Sequence, residues 1–335
     1  MSLQIKTVCK DNEERWQSFA FAHGTLYHDI AWARIIANTY ALRSEYYLAE
    51  DNGETVGLLP FMRLNSGKVL SLPYLPFAGS IFLSVEDREH ALALWREQLI
   101  GKRYHFMETR SVGRATENSL GYINMVVPLQ ADPTMAWQAL RTKERNQVRH
   151  AESLGMQAKF GGQHINDFYR LYCQRMHDFG TPPHAVNWFT NILTIIPGAN
   201  VLIIILNNSI IGAMFFIKHK DTIHVLYAVT KTRSNHLCPN VFMYWEIFKH
   251  ACAKQCASVD LGRTTFASPN FQFKKHWGGQ PTELVYNSFN LSNDSTRALL
   301  PLQEDAGKKV MSRVWRCLPD FLHRRLGPKI RKYLP

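Results

Sequence analysis

The sequence predicts an α/β (α+β) fold that consists of a duplicated domain followed by a basic helical tail. Three observations support this prediction. The chain has 335 residues, a length typical of about two ordinary domains. The same order of helices, hairpin, strand, helix and strand occurs in both halves, which indicates an internal duplication. Positive charge and apolar residues at helical spacing then dominate the last segment, 306–335.

The first half begins with helices and continues into a hairpin. Apolar side chains recur at helical spacing in the first two segments. The dipeptide Asn52-Gly53 lies between two apolar runs and is a preferred turn of two-residue hairpins. In order, the predicted elements are helices at 12–22 and 30–40, a hairpin of 46–50 with 55–62, a strand at 69–71, a helix at 85–99, and strands at 105–110 and 123–129.

The second half repeats this order. Both hairpins carry a glycine after a β-branched residue of the second strand, at Val56-Gly57 and at Ile211-Gly212. In order, the predicted elements are helices at 136–154, 164–179 and 188–195, a hairpin of 201–206 with 210–218, a strand at 222–229, a helix at 239–255 and a strand at 258–261.

Composition excludes several classes of protein. Hydrophobic residues make up 46% and charged residues 20% of the chain, so we expect a sizeable core and no global disorder. The six cysteines lack the spacing of a zinc site or a disulfide framework, which favours reduced thiols in the cytoplasm. The N-terminus does not resemble a signal peptide, and the longest apolar run, Val201–Leu206, is too short to cross a membrane. We therefore expect no metal, and a protein that is cytoplasmic or peripheral on the inner membrane face.

The tail at 306–335 carries most of the net charge. Nine of the 39 basic residues and one of the 27 acidic residues lie there, so the tail contributes +8 to the net charge of +12. Apolar residues recur at helical spacing on both sides of Pro319, which predicts a basic amphipathic helix broken at that proline. Three interpretations remain open: contact with an anionic membrane, packing on the body with solvated charges, and binding of a nucleic acid such as aminoacyl-tRNA.

Several short motifs occur in a fixed order across residues 10–290. They are LLPFM at 58–62, SLPY at 71–74, FAG at 77–79, KERNQVRHA at 143–151, MHDFGTP at 176–182, CPN at 238–240, DLGR at 260–263 and FKKHWG at 273–278. Their order and spacing resemble the Fem family of peptidyl-bridge aminoacyltransferases, and more closely its FemAB-like or BioF2-like acetyltransferase-domain relatives, some of which accompany exopolysaccharide and exosortase systems.

The resemblance implies tandem GNAT-like domains, each a mixed twisted sheet flanked by helices, at 1–128 and 129–295, with a tail at 296–335. It implies an acyl- or aminoacyltransferase that modifies an amine or hydroxyl of a phosphate-linked saccharide or peptidoglycan-type precursor in envelope or exopolysaccharide biosynthesis. The alternative is a catalytically silent GNAT-like module that binds lipid-linked glycan or scaffolds polysaccharide export. Because the duplication supplies a second domain within one chain, we expect a monomer.

The helix around Lys143 offers a phosphate-binding face. Arg145 and Arg149 are four residues apart and share one side of the helix, with Lys143 beside them. Guanidinium groups bind phosphate oxygens in a bidentate manner, so this face suits a diphosphate. The resemblance implies that the helix clamps the acceptor phosphate. The alternative is a solvated face with Glu144 and Glu152 as local partners.

The FKKHWG motif contains the expected catalytic residue. The resemblance implies that Lys274 meets the donor phosphate or the carbonyl that becomes an oxyanion, which a fixed cation would stabilise. Asp260 could accept a proton from the attacking amine, or could pair with Arg263 or a lysine. Lys275 and Trp277 follow Lys274 in the motif. Together with Arg263, they complete this part of the predicted substrate site.

Two further polar residues are substrate-binding candidates. Gly180 and Pro182 are explained by the end of a helix, which leaves Thr181 and His184 to face a groove. His184 is either a catalytic base or a structural or surface histidine. Asn240 either contacts substrate or caps the helix that follows. The loop before it, 233–240, contains no glycine and lacks the CoA-binding fingerprint of GNAT enzymes. The acyl donor is therefore either aminoacyl-tRNA or acyl-CoA.

Overall fold

The computed structural model describes residues 3–64, 66–101, 104–113, 121–130, 132–291, 295–298 and 306–334. The chain divides into two compact units. Unit 1 contains Met1–Tyr122, Glu283–Leu302 and Pro335, and unit 2 contains Ile123–Thr282 and Gln303–Leu334. Unit 1 is thus built from two separate stretches of the sequence, and the tail helices belong to unit 2.

The described part of the chain contains both helices and strands in each unit. The helices are α1 (Glu13–His23), α2 (Ala31–Tyr40), α3 (Val85–Gly101), α4 (Pro133–Ala139), α5 (Thr142–Ser153), α6 (Ile165–Phe179), α7 (Val186–Ile195), α8 (Pro239–Ala253), α9 (Pro269–His276), α10 (Ala306–Arg316) and α11 (Asp320–Arg331). The strands are β1 (Gln4–Thr7), β2 (Arg43–Asp51), β3 (Glu54–Arg63), β4 (Lys68–Ser71), β5 (Ile81–Phe82), β6 (Phe106–Val112), β7 (Tyr122–Pro128), β8 (Gln157–Phe160), β9 (Ala199–Leu206), β10 (Ser209–His219), β11 (Thr222–Thr230), β12 (Ser258–Thr265), β13 (Gln280–Asn290) and β14 (Ser295–Ala298).

The sheet of unit 1 has the strand order β1-β2-β3-β4-β6-β13, with β5 paired to β3 and β14 paired to β13. The hairpin of β2 and β3 closes at Asn52 and Gly53, which have φ of 48° and 87°. Two successive left-handed residues match the twist of the strands, as the sequence predicts. Trp95 of α3 is buried against Phe61 of β3, with ring centroids 4.1 Å apart.

The sheet of unit 2 has the strand order β7-β12-β11-β10-β9-β8. Its hairpin, β9 and β10, closes at Asn207 and Asn208, which also take left-handed φ values of 48° and 59°. The largest described apolar cluster lies on one face of this sheet, where α8 packs through buried residues such as Met243, Ile247 and Phe248. The apolar face of α8 is therefore the main support of the strands that carry the candidate site.

Both units contain the predicted repeat. In unit 1 an antiparallel hairpin leads to β4, and α3 crosses over to β6, which runs parallel to β4. In unit 2 the hairpin leads to β11, and α8 crosses over to β12, which runs parallel to β11. The mixed α/β fold and the repeated order of elements are confirmed.

Some elements differ from the prediction. The helix predicted at 136–154 is two helices, α4 and α5, because Leu140 is buried in an extended conformation between them. Helix α9, which contains the first four residues of the FKKHWG motif, was not predicted. It begins after Ser268, which accepts a hydrogen bond from the Phe271 amide, and Pro269 occupies its first turn. Strands β8 and β13 were not predicted, because their sequences mix polar residues into short runs.

The tail forms two helices, as predicted, with Pro319 at the start of the second. The helix pair α10 and α11 packs on α6 within unit 2. Among the described residues, no helix is both long enough and apolar enough to cross a membrane.

Candidate active site

The candidate site lies where two parallel strands separate. Strands β11 and β12 pair over three residues, and the last pair joins His224 to Asp260. Both strands continue for several residues after this pair, to Thr230 and Thr265. Side chains that occupy the last paired position therefore lie at the opening between the strands.

Three buried polar side chains form a row across neighbouring strands at this position. The Asp260 carboxylate accepts hydrogen bonds from Asn124 Nδ2 of β7 at 3.0 Å and from His224 Nδ1 of β11 at 3.1 Å. All three residues are buried. In the neutral tautomer whose Nδ1 donates to the carboxylate, the other ring nitrogen of His224 carries the lone pair. Asp260 thus orients an imidazole that can accept a proton.

Gly262 links this row to the FKKHWG motif. Its φ of +77° is left-handed, and a Cβ atom at this position would lie 3.2 Å from the Val225 carbonyl oxygen. Its amide donates to Asp260 Oδ1 at 2.8 Å. The DLGR motif therefore requires glycine because the backbone turns sharply beside the neighbouring strand.

Lys274 binds the same turn from the opposite side. Its Nζ donates to the carbonyl oxygens of Gly262 and Arg263 at 2.8 and 3.0 Å. The side chain is only 4% exposed. Burial lowers the pKa of Lys274 to about 8, while the carboxylate of Asp260 opposes this shift and the charge of Arg263 adds to it. The two bonds engage two of the three N–H donors of an ammonium group, so the third can donate to a substrate.

The structure distributes the other motif residues around α9. Arg263 and Lys275 are exposed, whereas Trp277 is 2% exposed and packs on Tyr244 and Phe248 of α8. Trp277 therefore anchors α9 to the core and helps to hold Lys274 in place. The Asp260 carboxylate has His224 and Asn124 as its side-chain hydrogen-bond partners among the described contacts.

Of the two arginines of α5, Arg145 is half-buried and Arg149 is exposed. Arg145 donates to Thr142 Oγ1 at 3.4 Å, and Arg149 lies over the Trp137 ring with 5.5 Å between Cζ and the centroid. Lys143 is also exposed. The adjacent Glu144 is buried and lies 3.6 Å from His276 Nδ1 at the end of α9. Helix α5 thus contacts the helix that carries Lys274, but the described contacts of its arginines are local.

Thr181 and His184 lie under the tail rather than beside Lys274. The Thr181 carbonyl accepts a hydrogen bond from His323 Nε2 of α11 at 3.2 Å. His184 is buried, stacks on Trp188 at 5.1 Å, and accepts a hydrogen bond from Arg331 Nε at 3.3 Å. Burial and the charge of Arg331 hold the pKa of His184 well below its usual range, so its imidazole is neutral.

Asn240 is the second residue of α8 and does not cap it. The residue before the helix is Cys238, with φ of 62° and no capping side chain. A non-glycine residue in this conformation is strained. The preceding loop forms a 3-10 helix, Thr232–Leu237.

Reasoning from sequence missed His224 and Asn124. His224 lies in a strand that is predicted to be mainly apolar. A polar side chain in such a strand was the signal that could have identified it as a functional residue. Its pairing with Asp260 depends on strand register between residues separated by 36 positions in the sequence, which one sequence does not specify.

Unit 1 contains a separate cavity of about 460 Å³. Apolar residues such as Phe77, Met107 and Phe289 line it together with Thr109, Ser111 and Asn287. Its volume falls within the range of small-molecule sites. In the part of the chain that the structure describes, no group of histidine, cysteine or acidic side chains is arranged to hold a metal ion.

The part of the chain that holds the candidate site matches a known family. Residues 138–275 match the family described as the acetyltransferase (GNAT) domain. This stretch contains Asp260, His224 and Lys274. No curated protein matches the chain by sequence.

Solved structures match the chain over most of its length. The crystal structure of FemX has a TM-score of 0.62 at 13% identity and covers 84% of this chain and 95% of its own. A tandem GNAT protein from the clavulanic acid biosynthesis pathway has a TM-score of 0.56 at 9% identity, covering 87% and 99%. L-PGS from Bacillus licheniformis has a TM-score of 0.52 at 9% identity, covering 93% and 99%. Residues 138–275 are therefore similar to the GNAT acetyltransferase domain, and the chain shares the fold of FemX and of the tandem GNAT protein, as its motifs predict.

Proposed function

We propose that the chain is an acyl- or aminoacyltransferase of cell-envelope or exopolysaccharide biosynthesis. The acceptor would be an amine or hydroxyl group on a phosphate-linked saccharide or peptidoglycan-type precursor. The observation that carries this proposal is the buried Asp260–His224 pair at the last paired position of two separating strands, with Lys274 bound to the same turn. The fold shared with FemX supports the envelope context.

The proposed reaction is a nucleophilic acyl substitution. The acceptor nitrogen or oxygen attacks the acyl carbonyl carbon, and His224 takes the proton that the nucleophile loses. Asp260 holds the His224 ring and stabilises the imidazolium that forms. The carbonyl oxygen becomes an oxyanion, and the third N–H of Lys274 donates to it. Collapse of this intermediate expels the thiol of CoA or the terminal ribose hydroxyl of tRNA, which receives the proton that His224 took from the nucleophile.

Acceptor phosphate would bind at α5. The exposed Lys143 and Arg149 and the half-buried Arg145 lie on this helix, whose residue Glu144 contacts α9. Arg263 and Lys275 would add positive charge on the other side of Lys274. Thr181 and Asn240 lie on other elements, and their predicted contacts with substrate remain proposals.

A catalytically silent binding module is the second candidate. One observation favours it: both described hydrogen bonds of Lys274 go to backbone carbonyls, an arrangement that also explains this lysine as a support for the turn. Under this function the chain would bind a lipid-linked glycan or scaffold polysaccharide export without chemistry.

Donor binding separates these functions. The purified chain would be titrated with acetyl-CoA, with aminoacylated tRNA and with uncharged tRNA at physiological salt. The enzyme proposal expects saturable binding of acetyl-CoA, or a clear preference for charged over uncharged tRNA, and transfer activity that His224→Gln removes. The absence of binding to either donor class would favour the silent module.

A further inference from the structure

The tail leaves an unusual number of large apolar side chains in solvent. We define the outer face of the tail as the exposed side chains between Met311 and Leu334. Its large apolar members are Met311, Val314, Phe321, Leu326, Ile330, Tyr333 and Leu334. They account for seven of the 15 exposed large hydrophobic residues among the described residues. Such a concentration of exposed apolar side chains in one short segment is typical of an interaction surface.

These apolar residues are exposed even though the tail packs on unit 2. Trp315 and His323 are buried, and His177 Nε2 of α6 donates to the Leu318 carbonyl at 2.9 Å. Gly327 lies so close to Pro183 that a Cβ atom would be 2.3 Å from its Cδ. The inner side of α10 and α11 is thus occupied by unit 2, so the outer side needs a different partner.

The charge of the outer face identifies that partner. Between Met311 and Leu334 the tail has seven basic residues and one acidic residue, Asp320. Arg324 pairs with Asp320 at 2.8 Å, whereas Arg313, Arg316, Arg325 and Lys329 are also exposed. A surface that presents both cations and large apolar side chains matches the headgroup region of an anionic bilayer, which attracts the cations and accepts the apolar groups.

We propose that the outer face of the tail binds the surface of an anionic lipid bilayer. The helices lie in the interface without crossing it, and unit 2 is held at the membrane through the contacts of α6 with α10 and α11. Nucleic acid is a poorer match, because phosphate backbones engage basic residues and give no reason to expose Phe321 and Met311. The inference goes beyond the proposed function and does not depend on acyl transfer.

Vesicle flotation of the full chain tests this proposal. Vesicles of phosphatidylcholine alone would be compared with vesicles that also contain phosphatidylglycerol. We expect binding only to the anionic vesicles, weakened by salt. The double variant Met311→Gln/Phe321→Gln should bind about tenfold more weakly because it removes apolar insertion. The matched control, Met135→Gln/Phe21→Gln, changes residues that are exposed elsewhere on the chain and should bind normally.

The charge contribution is tested separately. Arg325→Gln/Lys329→Gln should reduce vesicle binding by about 25-fold, given about fivefold for each cation at the surface. The control Lys10→Gln/Arg43→Gln removes two exposed cations outside the tail. The proposal is overturned by equal binding to both kinds of vesicle, or by normal binding of the Met311/Phe321 variant. If the Met311/Phe321 variant binds vesicles normally and the Arg325/Lys329 variant no longer binds tRNA, the tail is a nucleic-acid surface and the proposal is overturned.

Discussion

Lys274 and Asp260 bind the two ends of one residue: the lysine Nζ donates to the Gly262 carbonyl, and the aspartate accepts from the Gly262 amide. The buried cation and the buried anion therefore fix the strand turn from both sides. A single substitution at either position should affect stability as well as activity, and the two effects must be measured separately.

Replacement of Lys274 should abolish transfer. Lys274→Met removes the cation proposed to stabilise the oxyanion, and we expect a loss of about 100-fold or more in kcat. It also removes the partner of two carbonyl groups, at a cost of about 1–3 kcal/mol in unfolding free energy. Single-turnover kinetics and urea unfolding would measure the two effects. Lys159→Met, at an exposed position of β8, is the control, and an unchanged product yield in Lys274→Met would exclude the catalytic role.

The rate should fall as pH rises through about 8, the pKa of Lys274 in the fold. Above this pH the amine is neutral and cannot stabilise an oxyanion. The free energy of unfolding changes in the opposite direction. The unfolded chain keeps the lysine proton up to the ordinary pKa of 10.5, whereas the folded chain loses it at about pH 8. Lys274 therefore makes the unfolding free energy rise with pH between about pH 8 and 10.5. A pH profile of kcat for the wild type, beside unfolding curves of the wild type and Lys274→Met, would check both signs.

Substitutions at Asp260 and His224 should have different signatures. Asp260→Asn leaves the imidazole poorly oriented and weakens the bond with the Gly262 amide, so activity and about 1–3 kcal/mol of stability should be lost together. His224→Gln keeps a donor for the carboxylate, and should lose activity by about 100-fold or more with a smaller stability change. Equal activity of His224→Gln and the wild type would remove His224 from the mechanism.

Gly262→Ala should destabilise the fold more than Gly53→Ala. Both residues have positive φ, +77° and +87°, but only the Cβ atom at Gly262 would meet a backbone atom within 4 Å. We expect about 1 kcal/mol from the left-handed conformation at either site, and an additional cost at Gly262. Thermal unfolding of the two variants provides the measurement. Similar losses would show that β11 and β12 adjust to the added methyl group.

Local patterns explain why much of the fold could be predicted. The Asn52-Gly53 turn and the period of Trp32, Ile35 and Ile36 in α2 depend on neighbours in sequence. Helix α9 was missed because its capping residue Ser268 follows an irregular segment and its apolar residues are few. The sequence pointed to Lys274 and Asp260 through motifs, but not to His224, because strand register brings that histidine to Asp260.

The return of the chain into unit 1 has a consequence for synthesis on the ribosome. Strand β13 pairs with β6 from Leu284↔Val112 to Asn290↔Phe106, so β6 remains an open edge until residue 290 has emerged. At about 5–20 residues per second, on the order of ten seconds or more pass between the synthesis of β6 and the synthesis of β13. We expect this interval to be when the protein is most exposed to edge-to-edge aggregation and depends most on chaperones.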